Sequence, residues 1–398
     1  MSLKVAVIFG GASLEHEISI LSAMQAIAAI DQTHYEVIPF YITKKGDWYT
    51  GKELLKLDNY RDPKRLLAQC QPVLIDPNSN HAGFYSIIKH GFLSFKRKLT
   101  IDLAFPVMHG AHGEDGSLAG LFEMMNIPYT SCDVLASTLM MDKIASKEFL
   151  KVCGVPVVDY LWFYSSDWIS NQKSTLDLVL KRFDFPVIVK PANSGSSIGI
   201  NVAHNEQELE DAIDLAATMS TRILIEPFIT KLREINCAVL GDHENLEVSV
   251  CEEPIKTEAI LSYTDKYAGG SNSKLMGNKL GGNKLNTPTK TGMSGMKRQI
   301  PAQISAELTT EIQNLAARAF KQLDGFGVVR IDFLYDETTQ KVYFCEANAI
   351  PGSLSFYLWE PLHKPFTQLI TQLFDLALKR HREKNGLSLS YSQNILGM

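Results

Sequence analysis

Four polar residues stand at matched spacings late in the chain. Arg330 and Asp332 are two apart in an apolar, β-branched run from Gly327 to Tyr335, and Glu346 and Asn348 are two apart in the run Lys341 to Asn348. Asp336 to Gln340, between the two runs, carries turn chemistry. Residues two apart on a strand project from one face. A hairpin that sets Asp332 opposite Glu346 also sets Arg330 opposite Asn348, so one register gathers all four side chains. Two carboxylates and an amide oxygen suit Mg²⁺, a hard cation that takes a few carboxylates together with phosphate oxygens of a substrate. The segment Ala349-Ile350-Pro351-Gly352 then adds a glycine N–H that a reacting atom can approach with no side chain in the way. Arg330-Ile331-Asp332 alone would read as the charged face of an exposed hairpin. The matching pair on the second strand makes that face a metal and oxyanion site.

The chain that must hold this face has 398 residues, more than one core ordinarily serves, so two or three domains are expected. With 45% hydrophobic and 21% charged residues it has an ordinary globular composition, and a net charge of −5 argues against a nucleic-acid partner. The run Met1 to Phe9 is not followed by a signal-peptide cleavage region, and no stretch reaches the length of a membrane span. The six cysteines, at 70, 132, 153, 237, 251 and 345, show neither Cys-x-x-Cys spacing nor a disulfide framework. A cytoplasmic location with no membrane partner is expected.

The first elements read as strand, turn and helix: Lys4 to Phe9, then Gly10-Gly11-Ala12-Ser13, then a helix from near Glu15. Such a turn presents backbone N–H groups to an anion. It lacks the third glycine of the dinucleotide fingerprint. Glu15 taken alone reads as an acidic first-turn residue that favours the helix dipole. A strand Tyr35 to Ile42 follows, and a third, Asp102 to Met108, delivers His109-Gly110-Ala111-His112-Gly113-Glu114-Asp115-Gly116. Ligands of open α/β sheets sit beyond the carboxyl ends of the strands, which brings His109 and Glu15 to one crevice. Asp142-Lys143 leads into a helix, Ser146 to Cys153, and a new domain is expected from about Gly154.

A central region opens with strands at Val157 to Phe163 and Phe185 to Lys190, separated by a helix around Ser174 to Arg182. The loop Pro191 to Gly199 is rich in small and hydroxyl residues that can fold donors over phosphate oxygens, and reads equally as a Ser/Gly turn. Further strands run from Arg222 to Pro227 and from Arg233 to Leu240. Glu226 and Glu234 fall in edge-like, strand-end positions. The segment Gly269 to Gln299 is polar, glycine-rich and repetitive, with six basic residues and no acidic one. It reads as a disordered insertion or as a lid over anionic phosphates. A helix Ser305 to Leu323 packs behind the hairpin, and another, Pro365 to Glu383, closes the domain.

In order, Gly10-Gly11-x-Ser13-x-Glu15, His109-Gly110, Gly113-Glu114-Asp115-Gly116, Asp142-Lys143, Lys190 with Gly195-Ser196-Ser197-x-Gly199, Arg330-x-Asp332, and Glu346-x-Asn348 with Pro351-Gly352 resemble the D-alanine–D-alanine ligases of the ATP-grasp superfamily. The resemblance spans residues 1 to about 380. It implies a mixed α/β (α+β) three-domain ATP-grasp fold with an N-terminal Rossmann-like (pre-ATP-grasp) domain. The implied parts are a substrate domain 1–142, a central subdomain 143–233, a C-terminal subdomain 234–385 carrying the lid insertion 269–299, and a tail 386–398.

The resemblance also implies roles. ATP as co-substrate would meet Lys143, Lys190, Ser197 and Lys266 at its phosphates, Glu226, Pro227, Phe228 and Ile229 at adenine, and Glu234 at ribose. Asp332, Glu346 and Asn348 match ligands of two Mg²⁺ ions, with Mn²⁺ as an alternative. Glu15, Ser196 and Tyr267 resemble a hydrogen-bonded trio at the lid root. Glu15 and His109 would hold the first D-alanine, while Arg330 and the Gly352 N–H would receive the oxyanion. The implied reaction is ATP-dependent formation of D-alanyl-D-alanine through an acyl phosphate, for peptidoglycan precursors, by a homodimer. After Gly352 the family's usual threonine and later serine give way to Ser353-Leu354-Ser355-Phe356-Tyr357-Leu358, with Tyr357 where the second substrate's carboxylate is received. Ser353 and Ser355 are candidate substitutes, and D-serine or a D-hydroxy acid is the alternative second substrate. A non-catalytic sensor of ATP or a D-amino acid is the rival class.

Overall fold

The structure, a computed structural model, describes residues 2–78, 82–90, 93–195, 199–255 and 298–388. Ser196, Ser197, Lys266, Tyr267, nearly all of the insertion 269–299 and most of the tail lie outside the described residues.

Three sheets organise the chain. The first holds β1 (Leu3–Gly10), β2 (Tyr35–Ile42), β3 (Trp48–Thr50), β4 (Gln71–Asp76), β5 (Gly83–His90), β6 (Leu93–Leu99) and β7 (Leu103–Pro106), in the order β6-β5-β4-β3-β2-β1-β7. β1 pairs in parallel with β2 and β7, and its residues Val5 to Phe9 are completely buried. That continuous apolar run is what a strand covered on both faces requires. The strand read at 102–108 is thus the seventh, because an antiparallel meander over β3 to β6 extends the sheet on its far side.

The second sheet, order β10-β9-β11-β8, holds β8 (Leu161–Tyr164), β9 (Val187–Pro191), β10 (Asn201–Ala203) and β11 (Arg222–Pro227). Helices Gln172–Arg182 and Glu206–Ala217 bury Leu176, Val179, Leu209 and Ile213 against it. Their starts are fixed by Asn171 and Asn205, whose side chains accept from Ser174 N and Glu208 N.

The third sheet carries the ligand-like hairpin. It holds β12 (Leu232–Gly241), β13 (Leu246–Pro254), β14 (Arg298–Gln299), β15 (Gly327–Asp336) and β16 (Lys341–Asn348), in the order β14-β13-β12-β15-β16. Helix Ala306–Gln322 covers one face through Ile312, Ala316, Ala319 and Phe320. The last helix, Phe366–Asn385, buries Leu369, Ile370, Leu373, Phe374 and Ala377 as one stripe. That stripe joins the first and third sheets: Phe374 meets the rings of Tyr35 and Phe105 at 4.9 and 5.2 Å, and one core runs from Val5 and Phe9 to Leu240 and Val328. Each such buried Leu or Phe contributes ~1.5–3 kcal/mol, so the helix fixes the crevice between the two sheets.

Candidate active site

β15 and β16 pair in the expected register, Arg330 opposite Asn348 and Asp332 opposite Glu346. Beyond Asp332 the ladder shifts by a β-bulge, and Phe333 faces Phe344. On the shared face Arg330 Nε and one terminal nitrogen donate to the two Asp332 oxygens, each at 2.7 Å, and Asn348 Nδ2 donates to Asp332 Oδ2 at 3.2 Å. Burial, with Glu346 and Glu234 pushing the same way, raises the Asp332 carboxyl above its usual range despite the Arg330 pair. Burial opposes the Arg330 charge, but Asp332 outweighs it and holds the guanidinium protonated. Among the described residues no three His, Cys, Asp or Glu side chains gather as a metal site. The donor set is instead two carboxylates and the Asn348 amide oxygen, with Arg330 and Lys143 as the carboxylates' present counter-charges, and this oxygen chemistry fits a hard divalent cation.

Lys143 reaches this face from a neighbouring helix, Lys143–Val152. Asp142 caps that helix, accepting from Ile144 N and Ala145 N, and pairs with Arg222 of β11. The Lys143 N–H donates to Ala192 O at 3.0 Å. Its ammonium is thereby aimed between the sheets, 3.0 Å from Glu346 Oε2 and donating to Ser194 O at 2.6 Å.

From the first sheet come two loops. Glu15, buried, precedes helix His16–Ala29, and its carboxylate lies against Gly110 and Gly195: a Cβ on either glycine would come within 2.9 Å of Glu15 Oε2. His109 Nδ1 lies 2.9 Å from the Ile350 carbonyl and Nε2 lies 2.9 Å from Ser22 Oγ. A carbonyl only accepts, so the proton is on Nδ1 and Ser22 donates to Nε2. Burial lowers the His109 pKa and keeps the ring neutral. Glu114 accepts from Gly110 N at 2.7 Å and from Ile350 N at 3.0 Å. Glu15, His109, Arg330, Glu346, Asn348 and Gly352 line one cavity.

After Gly352 the chain makes a tight left-handed turn, with Ser353, Leu354 and Ser355 at φ of 52°, 52° and 50°. The Ser353 N–H donates to Ser22 Oγ at 3.1 Å and its hydroxyl donates to Gln25 Oε1 at 2.7 Å. Ser355 Oγ is fully buried without a partner among the described residues. Tyr357 places its hydroxyl 3.4 Å from Glu252 Oε1. Arg298 stacks on that ring at 3.9 Å and donates to Glu252 Oε2 at 2.8 Å. Ser22, Gln25 and Glu252 escaped the sequence reading because nothing local marks them, whereas Arg298, read there as one of the basic residues of the insertion 269–299, belongs to β14 and is held by Glu252 and Tyr357.

Glu226 departs from its expected edge-like position. β11 lies between β9 and β8, and Glu226 is 1% exposed, 2.5 Å from both Lys147 and Lys190. Burial would raise its pKa, but the two lysines outweigh that and pull it down to about 2. Glu234 is likewise on an interior strand, since β12 lies between β13 and β15. Pro227, Phe228 and Ile229 continue half-buried, with Phe228 N donating to Pro186 O at 3.0 Å. Lys147 could have been noticed from its spacing, four residues after Lys143 on the same helix.

The class follows from fold and relatives. The structure superposes on a D-Ala:D-Ser ligase, VanG, from Enterococcus faecalis with TM-score 0.76 at 30% identity, covering 95% of this chain and 100% of that one. It superposes on the D-alanine–D-alanine ligase from Coxiella burnetii with TM-score 0.77 at 28% identity, covering 97% and 96%. These are ATP-grasp folds, and the three sheets here form an ATP-grasp ligase fold. The family model described as D-ala D-ala ligase N-terminus matches residues 4–132, and that described as D-ala D-ala ligase C-terminus matches residues 149–284 and 287–375. The D-alanine–D-alanine ligase of Caldicellulosiruptor bescii is 37% identical over 98% of both chains, and that of Thermosipho africanus 35% identical over 100% of this chain and 99% of its own. The chain belongs to the D-alanine–D-alanine ligase family.

Proposed function

We propose that this enzyme joins two D-alanines into D-alanyl-D-alanine at the expense of ATP, as a step toward peptidoglycan precursors. The observation that carries the reading is the single cavity on which Glu15, His109, Arg330, Glu346, Asn348 and Gly352 converge. In this reading residues 1–142, 143–233 and 234–385 are its three domains, and residues 386–398 are a tail. ATP lies between the second and third sheets, with Lys143 and Lys190 at its phosphates, Glu226 to Ile229 along adenine and Glu234 at ribose. Asp332, Glu346 and Asn348 hold two Mg²⁺ ions, with Mn²⁺ able to replace them. Bound there, the ions supply positive charge to the phosphate oxygens.

A carboxylate resists attack by an amine, so the first D-alanine must be activated. Glu15 holds its ammonium, and the neutral His109 ring keeps the Ile350 to Gly352 backbone in place beside it. The substrate carboxylate attacks the terminal phosphorus of ATP, ADP leaves, and an acyl phosphate forms. The amine of the second D-alanine, having lost a proton, attacks the acyl carbon. The oxyanion that develops is met by Arg330 and the Gly352 N–H, and phosphate departs as the amide forms. Enclosure between sheets keeps water from the acyl phosphate. Ser353, Ser355 and Tyr357 lie on the loop that receives the second substrate. No described helix is long and apolar enough to cross a membrane, and we place the enzyme in the cytoplasm as a homodimer.

The test is ADP release by the purified protein with Mg²⁺, ATP and D-alanine, the product identified by mass spectrometry, with D-serine and D-lactate as parallel acceptors. D-alanyl-D-alanine that disappears in Glu346→Gln is the expected result. ADP formed only with another acceptor would keep the activation step and move the specificity to Ser353 through Tyr357. ATP binding without turnover on any acceptor would replace the ligase by a sensor.

A further inference from the structure

Lys143 and Lys147 are four residues apart on helix Lys143–Val152 and so lie one above the other on one face. They serve different sheets. Lys143 pairs with Glu346 of the third sheet, while Lys147 pairs with Glu226 of the second. Glu226 also takes Lys190: Leu224 stands opposite Lys190 in the β11–β9 ladder, and Glu226, two residues on, shares its face. One carboxylate thus bridges two ammonium groups, Lys147 on Oε1 and Lys190 on Oε2, each at 2.5 Å. Lys147 and Glu226 are each 1% exposed at their side chains, and Lys190 is 7% exposed.

The charges do not balance. Two cations on one anion leave a unit of positive charge where solvation is poor, and an uncompensated buried charge is costly unless something neutralises it. The neighbouring carboxylate, Glu346, also draws on Lys190, but it is paired with Lys143, so three lysines meet two carboxylates and the unit of positive charge remains. The Tyr160 ring lies 6.0 Å from the Lys147 ammonium. A fold that needed only to bury Glu226 would need one lysine.

We propose that Lys147 is a positioning residue for nucleotide binding: by sharing Glu226 it keeps that carboxylate from cancelling Lys190, which is left both fixed in place and net positive toward a phosphate. The inference rests on the reading that Lys190 faces the phosphates of ATP. Its signature is that charge, rather than packing, decides the affinity.

The test is calorimetric titration of the full chain with ADP and Mg²⁺ and, separately, with adenosine, which shares the base and ribose but has no phosphate. Lys147→Met makes the trio neutral, and Lys147→Arg keeps its charge. Lys147→Met is expected to weaken ADP binding roughly tenfold, as removal of a nearby charge in a poorly solvated site does, and to leave adenosine binding unchanged. Lys147→Arg is expected to keep most of the ADP affinity, and in turnover the loss in Lys147→Met falls on KM for ATP rather than kcat. Equal loss of ADP and adenosine in Lys147→Met, or a Lys147→Arg variant as weak for ADP as Lys147→Met, would assign Lys147 to packing and overturn the proposal. Unchanged ADP affinity in Lys147→Met would overturn it as well. A wild-type chain that binds no ADP would instead overturn the nucleotide reading from which it starts.

Discussion

Glu114 and Ile350 are joined across 236 positions of the chain: the Ile350 N–H donates to Glu114 Oε1 at 3.0 Å. Together with the 2.9 Å contact from His109 Nδ1 to the Ile350 carbonyl, this secures both polar groups of one residue to the first sheet. The hairpin's exit and the His109 loop are therefore one mechanical unit.

Stability should carry the imprint of Glu114. Burial, and then the Glu15 carboxylate, raise its carboxyl from 4.5 to about 8. A raised acid binds its proton more tightly folded than unfolded, so this group's contribution is full below the unfolded value and falls as pH rises toward about 8. Glu114→Gln keeps an acceptor and removes the titration. Melting temperatures measured across this window should decline more steeply for the wild type than for the variant; parallel profiles would show that Glu114 titrates normally.

His109→Phe removes the donor to Ile350 O and the acceptor for Ser22. A buried carbonyl left without its donor costs ~1–3 kcal/mol, and urea denaturation should report a loss of that size. A variant as stable as wild type would mean that solvent or a rearranged side chain replaces the tie.

Arg330→Lys keeps the charge but loses the two-pronged grip on Asp332 and the planar donor set. Loss of an oxyanion donor costs ~10²–10³ in kcat. Steady-state kinetics should show that fall with little change in KM for ATP. A rise in KM alone would place Arg330 in substrate binding.

Arg298 and Tyr357 should separate cleanly. Arg298→Met strands the buried Glu252 carboxylate, a loss of ~3–5 kcal/mol. Tyr357→Phe gives up only a 3.4 Å contact, and should cost less than about 1 kcal/mol. Denaturation curves test both figures. If Tyr357→Phe folds normally and still loses D-alanine turnover, its hydroxyl reaches the substrate despite lying against Glu252.

The hairpin face was legible because strand alternation and a short turn leave few registers, and only one of them sets Arg330, Asp332, Glu346 and Asn348 together. Tyr35–Ile42 and Arg222–Pro227 were legible for the same reason: apolar runs bounded by turn residues. What pattern does not carry is neighbourhood. Glu226 ends a strand in the sequence, yet whether that strand is at an edge depends on β8, which precedes it by some sixty positions. Lys147 sits mid-helix in a polar stretch, where solvation is the ordinary fate of a lysine, and only the packing of that helix on the second sheet buries it. The strands β3 to β6 were passed over between Asp47 and Leu99, a region whose short runs carry weak alternation. β6 in particular is exposed along nearly its whole length, so burial never wrote a pattern into it.

The bulge beside Asp332 gives Cys345 a position with no counterpart across the ladder, since Glu346 faces Asp332 and Phe344 faces Phe333. What it adds is the local bend and twist of a bulge rather than a partner across the ladder. Exchange of this cysteine for another small residue leaves the bulge intact, whereas its deletion would leave a regular ladder in which Glu346 still faces Asp332 and Phe344 still faces Phe333. The hairpin can therefore lose this one position and keep its pairing, whereas a residue lost between Glu346 and Asn348 would part Asn348 from Arg330, and descendants of this chain should hold that second spacing the more strictly.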